Sequence, residues 1–138
     1  MRELLESKIN SAINSFSKLG ESDLISDILT STNIIVKALK SKKKIIFCGN
    51  GGSAADSQHL SAELVGKFKK KRKALNSISL TTDTSAITSI GNDMGFDKVF
   101  SRQLEAIGEK GDVLFALTTS GKSANILNAL KVSKKKKN

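Results

Sequence analysis

The sequence predicts an α/β protein, a three-layer α/β/α sandwich around a parallel sheet, preceded by an N-terminal helical hairpin. Three observations lead there. Short strand-like segments, the apolar runs at 45–48 and 113–117 and "LNSISL" at 75–80, alternate with segments of helical periodicity. Strands separated in this way by helices pair parallel through right-handed crossovers. The first 40 residues lack such runs and carry two apolar stripes at helical spacing instead.

Taken in order, Leu5, Ile9, Ala12, Ile13, Phe16 and Leu19 form the first stripe, and Gly20 stands where that helix would stop. Ser22 and Asp23 open a second helix with Leu24, Ile25, Ile28, Leu29, Ile35, Val36 and Leu39 inward, ending in the lysines around Lys42. This hairpin is assigned to residues 1–41. Each stripe needs a partner, in the rest of the domain or in another subunit. Ile45-Ile-Phe-Cys48 then reads as a strand buried on both faces. The Gly-Asn-Gly-Gly-Ser loop at 49–53 leads into a helix over 54–65, and "LNSISL" at 75–80 is the second strand. A short helix is expected over 85–90, a loop over 91–95 ("GNDMG"), and a helix over 97–107 that ends at Gly108. "VLFAL" at 113–117 is the third strand, and after the 118–123 loop a last helix starts at Ala124. The α/β core is thus 42–133 and the lysine-rich tail 134–138, all within one domain spanning 1–138. There is no proline, so these boundaries rest on Gly, Asp and Ser.

Composition excludes several classes. No apolar run approaches the ~18 residues of a membrane span, and the polar start lacks a signal-peptide core. The single Cys48 forbids an internal disulfide, which suits a reducing compartment, so the chain is expected to be soluble and cytoplasmic. A net charge of +10 invites a nucleic-acid reading. The basic residues, however, gather at element boundaries, at 37–44, 67–73 and 131–137, where lysines solvate easily, and no Tyr or Trp offers a stacking platform. They are read as solvated surface, with nucleic acid not expected as a partner.

Ligands of parallel sheets bind beyond the carboxyl ends of the strands. Two small-polar loops fall there, 49–53 and 118–123. The first satisfies a loose dinucleotide pattern, Gly49-Asn-Gly51-Gly-Ser-Ala54, but the acidic residue expected about 20 positions on is missing, Asp83 being farther away. Gly121-Lys-Ser123 imitates the end of a nucleotide triphosphate loop, yet position 116 is Ala where that motif needs Gly. A phosphate monoester fits better. Thr118, Thr119, Ser120 and Ser123 crowd four hydroxyls at a helix N-terminus, where backbone N–H groups and the helix dipole favour an oxyanion, and Ser53 adds a fifth. The competing reading is that these residues merely cap helices. His59 and Glu63, at i and i+4, share one helix face. They could be a surface contact, part of a metal site, or in the case of Glu63 a base beside a sugar carbonyl.

Residues "CGNGGSAADSQHLSAEL" and "GNDMGFDKVFSRQLEAIGEKGDVLFALTTSGKSANIL", with the leading hairpin, resemble phosphoheptose isomerases, members of the sugar isomerase (SIS) domain family with a flavodoxin-like fold. The resemblance runs over nearly all of 1–131. It implies conversion of sedoheptulose 7-phosphate to D-glycero-D-manno-heptose 7-phosphate through an enediol, an early step toward lipopolysaccharide heptose. By resemblance, Asn50, Gly51, Gly52 and Ser53 contact the sugar. Thr118, Thr119, Ser120 and Ser123 hold the phosphate, and Asn92 and Asp93 make further substrate contacts. Glu63 is the catalytic base and also a substrate ligand. His59 and Glu63 match two zinc ligands, and the family's homotetramer would cover the hairpin's stripes. Lys67 stands where the family has an Arg, Thr118 replaces a Ser and Lys122 an Asn. The family continues with a strand and a long helix bearing a His, a Gln and an Asp. The chain therefore reads as C-terminally shortened, its zinc ligand set incomplete and its turnover slowed. The alternative is a non-enzymatic SIS-domain regulator that binds a sugar phosphate or the replication initiator protein.

Overall fold

In a computed structural model, which describes residues 1–20 and 23–136, the chain divides by its internal contacts after Val36 into two units. The helix-opening signal at Ser22 and the end of the lysine tail lie outside the described residues.

The first unit is helical. Helix α1 runs Arg2–Gly20 and helix α2, which continues past the division, runs Leu24–Lys40. No residue of α1 is buried, and Leu5, Ile9, Ile13 and Phe16 leave more than half of their surface open. The apolar stripes exist as expected; in α2, Leu24, Ile25, Ile28, Leu29 and Val36 are exposed, while Ile35 and Leu39 are half-buried.

The second unit is a three-stranded parallel sheet in the order β2–β1–β3, with β1 at Ile45–Gly49, β2 at Ser77–Ser79 and β3 at Val113–Leu117. Every residue of β1 is buried, which is why its apolar run does not alternate. Side chains of successive residues point to opposite faces. Ile46 and Cys48 join Val99, Phe100 and Leu104 of helix α5 (Val99–Ile107) and Ile126 and Ala129 of helix α6 (Ala124–Lys135) in one core. Ile87 and Ile90 of helix α4 (Thr84–Met94) pack against that core. Each such Ile, Leu or Phe contributes about 1.5–3 kcal/mol on burial. Helix α3 (Gly52–Val65) packs on β1 and β2. It does so through small groups: Ser57 and Ser61 are buried, and Ser77 Oγ donates to Ser61 Oγ at 3.1 Å.

The expected alternation of strands and helices holds, with three adjustments. The second strand is shorter than 75–80, because Leu75 N–H is drawn off to the Leu64 carbonyl at 3.0 Å. The loop expected over 91–95 is instead the last turn of α4. Asp83 starts that helix by accepting from Ala86 N–H at 2.9 Å, and it ends only at Gly95, whose φ of +99° suits glycine. A 3₁₀ turn at Phe96–Lys98 then precedes α5.

Nor are the basic clusters pure solvated surface. Lys44 Nζ meets Asp112 Oδ2 at 2.7 Å, and its backbone N–H donates to Asp112 Oδ1 at 3.0 Å, tying the start of β1 to the turn before β3. Lys136 Nζ donates to the carbonyls of Glu105 and Gly108, closing the end of α5.

Candidate functional site

β1 leads into α3 and β2 on one side, and the chain then crosses to β3 on the other side of β1. The gap between β1 and β3 is therefore the topological switch point, where ligands of such sheets bind. Both small-polar loops leave the sheet there, since Gly49 pairs in register with Leu117.

The β1 loop is tight. A Cβ on Gly49 would collide with the Ser53 carbonyl, and Gly51 sits at φ +56°. These two glycines let the chain turn directly into α3, whose N-cap, Gly51, offers no side-chain cap. Helix α6 begins likewise: its N-cap Ser123 makes no side-chain cap bond. Thr118 Oγ1 accepts from Gly121 N–H and Ser120 Oγ from Lys122 N–H, both at 3.2 Å, which shapes the loop while leaving each hydroxyl proton to donate. The helix starts at this edge thus lack the hydroxyl cap that would make their Ser and Thr residues simple terminators, in contrast to α4 with Asp83.

The two loops are joined by a side-chain pair that sequence reasoning missed. Asn50 Nδ2 donates to Asn125 Oδ1 at 2.9 Å, and Asn125 Nδ2 donates back to Asn50 Oδ1 at 2.8 Å. Asn125 is 3% exposed. Its only sequence signal is an amide in the first turn of α6, and nothing local ties it to a residue 75 positions away.

Of the other expected site residues, Ser53 and Ser123 are half-buried and Gly51, Gly52, Thr118, Thr119 and Ser120 are exposed. Asn92 and Asp93 are exposed on the last turn of α4, bonded to each other through Asn92 Nδ2 and Asp93 Oδ1 at 2.8 Å. His59 Nε2 and Glu63 Oε1 lie 3.7 Å apart on α3, with 75% of the His59 side chain and 32% of the Glu63 side chain exposed. Zinc was the metal expected at that pair. A zinc site takes three or four protein donors, whereas the described residues contain no group of three or more His, Cys, Asp or Glu able to hold a metal. By themselves the described residues do not fit a closed zinc centre.

These features, a parallel sheet with open helix starts meeting at its switch point, define an α/β domain of the class that takes its ligands beyond the carboxyl ends of the strands. The SIS domain family model matches residues 9–137, and the chain belongs to that family, in its phosphoheptose isomerase branch. The phosphoheptose isomerase of a Nitratiruptor species is 51% identical over 136 residues, covering 99% of this chain and 72% of the relative. That of Helicobacter hepaticus is 48% identical, covering 97% and 67%, while the Aliarcobacter butzleri relative is spanned over 55% of its length. Among solved structures, the phosphoheptose isomerase of Neisseria gonorrhoeae superposes with a TM-score of 0.90 at 40% identity, covering 98% of this chain and 70% of that one. The Francisella tularensis enzyme gives 0.92 at 33%, covering 97% and 70%.

Proposed function

We propose that this chain carries the substrate pocket of an aldose–ketose isomerase that converts sedoheptulose 7-phosphate to D-glycero-D-manno-heptose 7-phosphate, for lipopolysaccharide heptose. The observation that carries the reading is the junction of the 49–53 and 118–125 loops at the switch point, held by the paired amides of Asn50 and Asn125. The relatives named above support the substrate, being phosphoheptose isomerases themselves. The relatives named above do not favour the regulator reading.

In the proposed reaction the phosphate sits at the start of α6, taking hydrogen bonds from Thr118, Thr119, Ser120 and Ser123 and from backbone N–H groups. Asn50, Gly51, Gly52 and Ser53 face the sugar, and Asn92 and Asp93 complete the substrate contacts. The Glu63 carboxylate removes a proton from C1, beside the C2 carbonyl, while O2 gains a proton, leaving the 1,2-enediol. The same carboxylic acid returns its proton to C2 as O1 loses one and the C1 aldehyde forms. No step is routed through zinc. For a metal, His59 and Glu63 would be two ligands, to be completed by donors beyond those this chain groups together.

Further parts of the reading are a homotetramer built on the apolar stripes of α1 and α2, whose exposed side chains support it, and a cytoplasmic location. No helix of the described residues is long and apolar enough to cross a membrane.

Nuclear magnetic resonance of sedoheptulose 7-phosphate in heavy water tests the chemistry through deuterium uptake at C2 of the product. Glu63→Gln is expected to lower kcat by ~10²-fold or more, general-base catalysis being worth that much, with phosphate affinity retained. Wild-type rates in that variant would overturn the role of Glu63.

A further inference from the structure

We infer that Asn125 is a positioning residue for this pocket. By pairing its amide with that of Asn50, it sets the distance between the loop that faces the sugar and the loop that faces the phosphate, an inference that rests on the sugar-phosphate reading for its consequence but not for its geometry.

The pair is reciprocal: each amide gives one N–H and takes one, at 2.9 and 2.8 Å. Asn125 Oδ1 also accepts from Ile126 N–H at 2.9 Å, so the same oxygen serves the first turn of α6 and the other loop. No other side-chain hydrogen bond joins 49–53 to 118–125 among the described residues. Burial to 3% exposure makes the pair directional, because an amide there that loses its partner has no water to turn to. The position is matched to the task. Asn50 directly follows Gly49, the last residue of β1, and Asn125 is the second residue of α6, two beyond Ser123. The latch therefore sits at the roots of both loops. It also follows that the edge of the Asn50 amide facing Asn125 is taken, so a sugar at position 50 meets the backbone, the remaining amide proton or the second lone pair of Oδ1.

Size and shape alone do not explain the choice of residue. Asp at 125 would fill the same volume, yet its second oxygen would face Asn50 Oδ1 in place of an N–H. Turning the Asn50 amide over only moves the clash to its other side.

Hydrogen exchange on the ligand-free chain reads the latch directly. Asn125→Ala and Asn125→Asp are each expected to raise exchange at residues 50–53, and Asn50→Ala at 118–125, by about tenfold or more, the loss of one or two net hydrogen bonds. Exchange changes confined to the altered residue's own loop would overturn the inference, as would an Asn125→Asp protein within twofold of wild type. Should the variants at 125 fail to fold, Asn50→Ala, whose site is less buried, decides by itself. Calorimetry with inorganic phosphate and with sedoheptulose 7-phosphate reads the consequence. Each single variant is expected to bind about tenfold more weakly, and the Asn50→Ala/Asn125→Ala double no more weakly than the worse single. Losses that multiply in the double would mean independent roles and sink the latch. If the wild-type chain binds neither probe, the sugar-phosphate reading falls, and the exchange arm still judges the latch.

Discussion

Two single side chains in this protein illustrate how burial sets chemistry. Cys48 lies at 0% exposure in the central strand, and burial pushes its thiol from an ordinary 9.0 up to about 12. It is therefore a packing residue, since only a thiolate attacks. Alkylation at pH 8 should proceed no faster than the chain opens, a result mass spectrometry can check across a urea series. Because the folded pKa lies above the unfolded one, this residue's contribution is complete below about pH 9 and is lost as pH climbs toward 12. Asp112 runs the other way. Burial opposes its charge, but hydrogen bonds from the Lys44 side chain and backbone and from Glu109 N–H, with the Lys44 charge, outweigh it and hold the carboxyl below its ordinary 3.8. With the side chain 5% exposed, Asp112→Asn should cost about 1–3 kcal/mol at pH 7, because it leaves Lys44 only its longer, 4.0 Å contact with the Glu109 carboxylate. The stabilisation is present above the unfolded pKa and vanishes as pH falls through the lower folded one. Urea melts of variant and wild type should accordingly converge well below pH 4.

At the scale of elements, α3 matters most because it carries His59 and Glu63. Its end is closed by Arg72, whose guanidinium donates to the carbonyls of Glu63 at 2.7 Å, Leu64 at 2.8 Å, Lys73 at 3.1 Å and Gly66 at 3.3 Å. These include carbonyls a helix end leaves without partners. A lysine, which can bridge two carbonyls as Lys136 does, lacks the planar fork that spans four. Arg72→Lys and Arg72→Ala should each loosen residues 61–66, and the alanine variant should lose about 2 kcal/mol, measurable by thermal melts with hydrogen exchange. An Arg72→Ala protein with unaltered protection at Glu63 would contradict this account. From composition, residues 67–73 read as a solvated basic loop. One member of that run turns back on the helix because the loop returns alongside α3, with Leu75 N–H on the Leu64 carbonyl.

For the molecule as a whole, the open question of cover falls on α1 and α2. Ile9, Ile13, Phe16, Ile28 and Leu29 are all exposed, Phe16 by 74%. Rows of large apolar groups on helices exceed what a monomer ordinarily leaves in water. Sedimentation should find a self-associated species, and Ile9→Glu with Ile13→Glu should shift it toward monomer without changing the α/β core's near-native circular dichroism. A wild-type chain that stays monomeric at micromolar concentration would remove the proposed homotetramer.

Much of this was legible in the residues because its causes are local. The run at 45–48 is uniformly apolar, and a strand in mid-sheet has two faces to bury; the apolar run at 113–117 announced β3 to the residue. Helix periodicity marked α1, α2 and α5, and small-polar loops after two strands marked the site. Where local signals were weak, as over 91–94, glycine suggested a loop, yet Ile87 and Ile90 packing on the core carried the helix through to Gly95. What tertiary structure alone decided is of a different kind: β1 rather than β3 at the centre, Asn50 against Asn125, and Arg72 on the end of α3. Each depends on which distant segments become neighbours. That follows from sheet order and helix crossover, and a hydrogen bond across 75 residues leaves no periodicity in the chain to read.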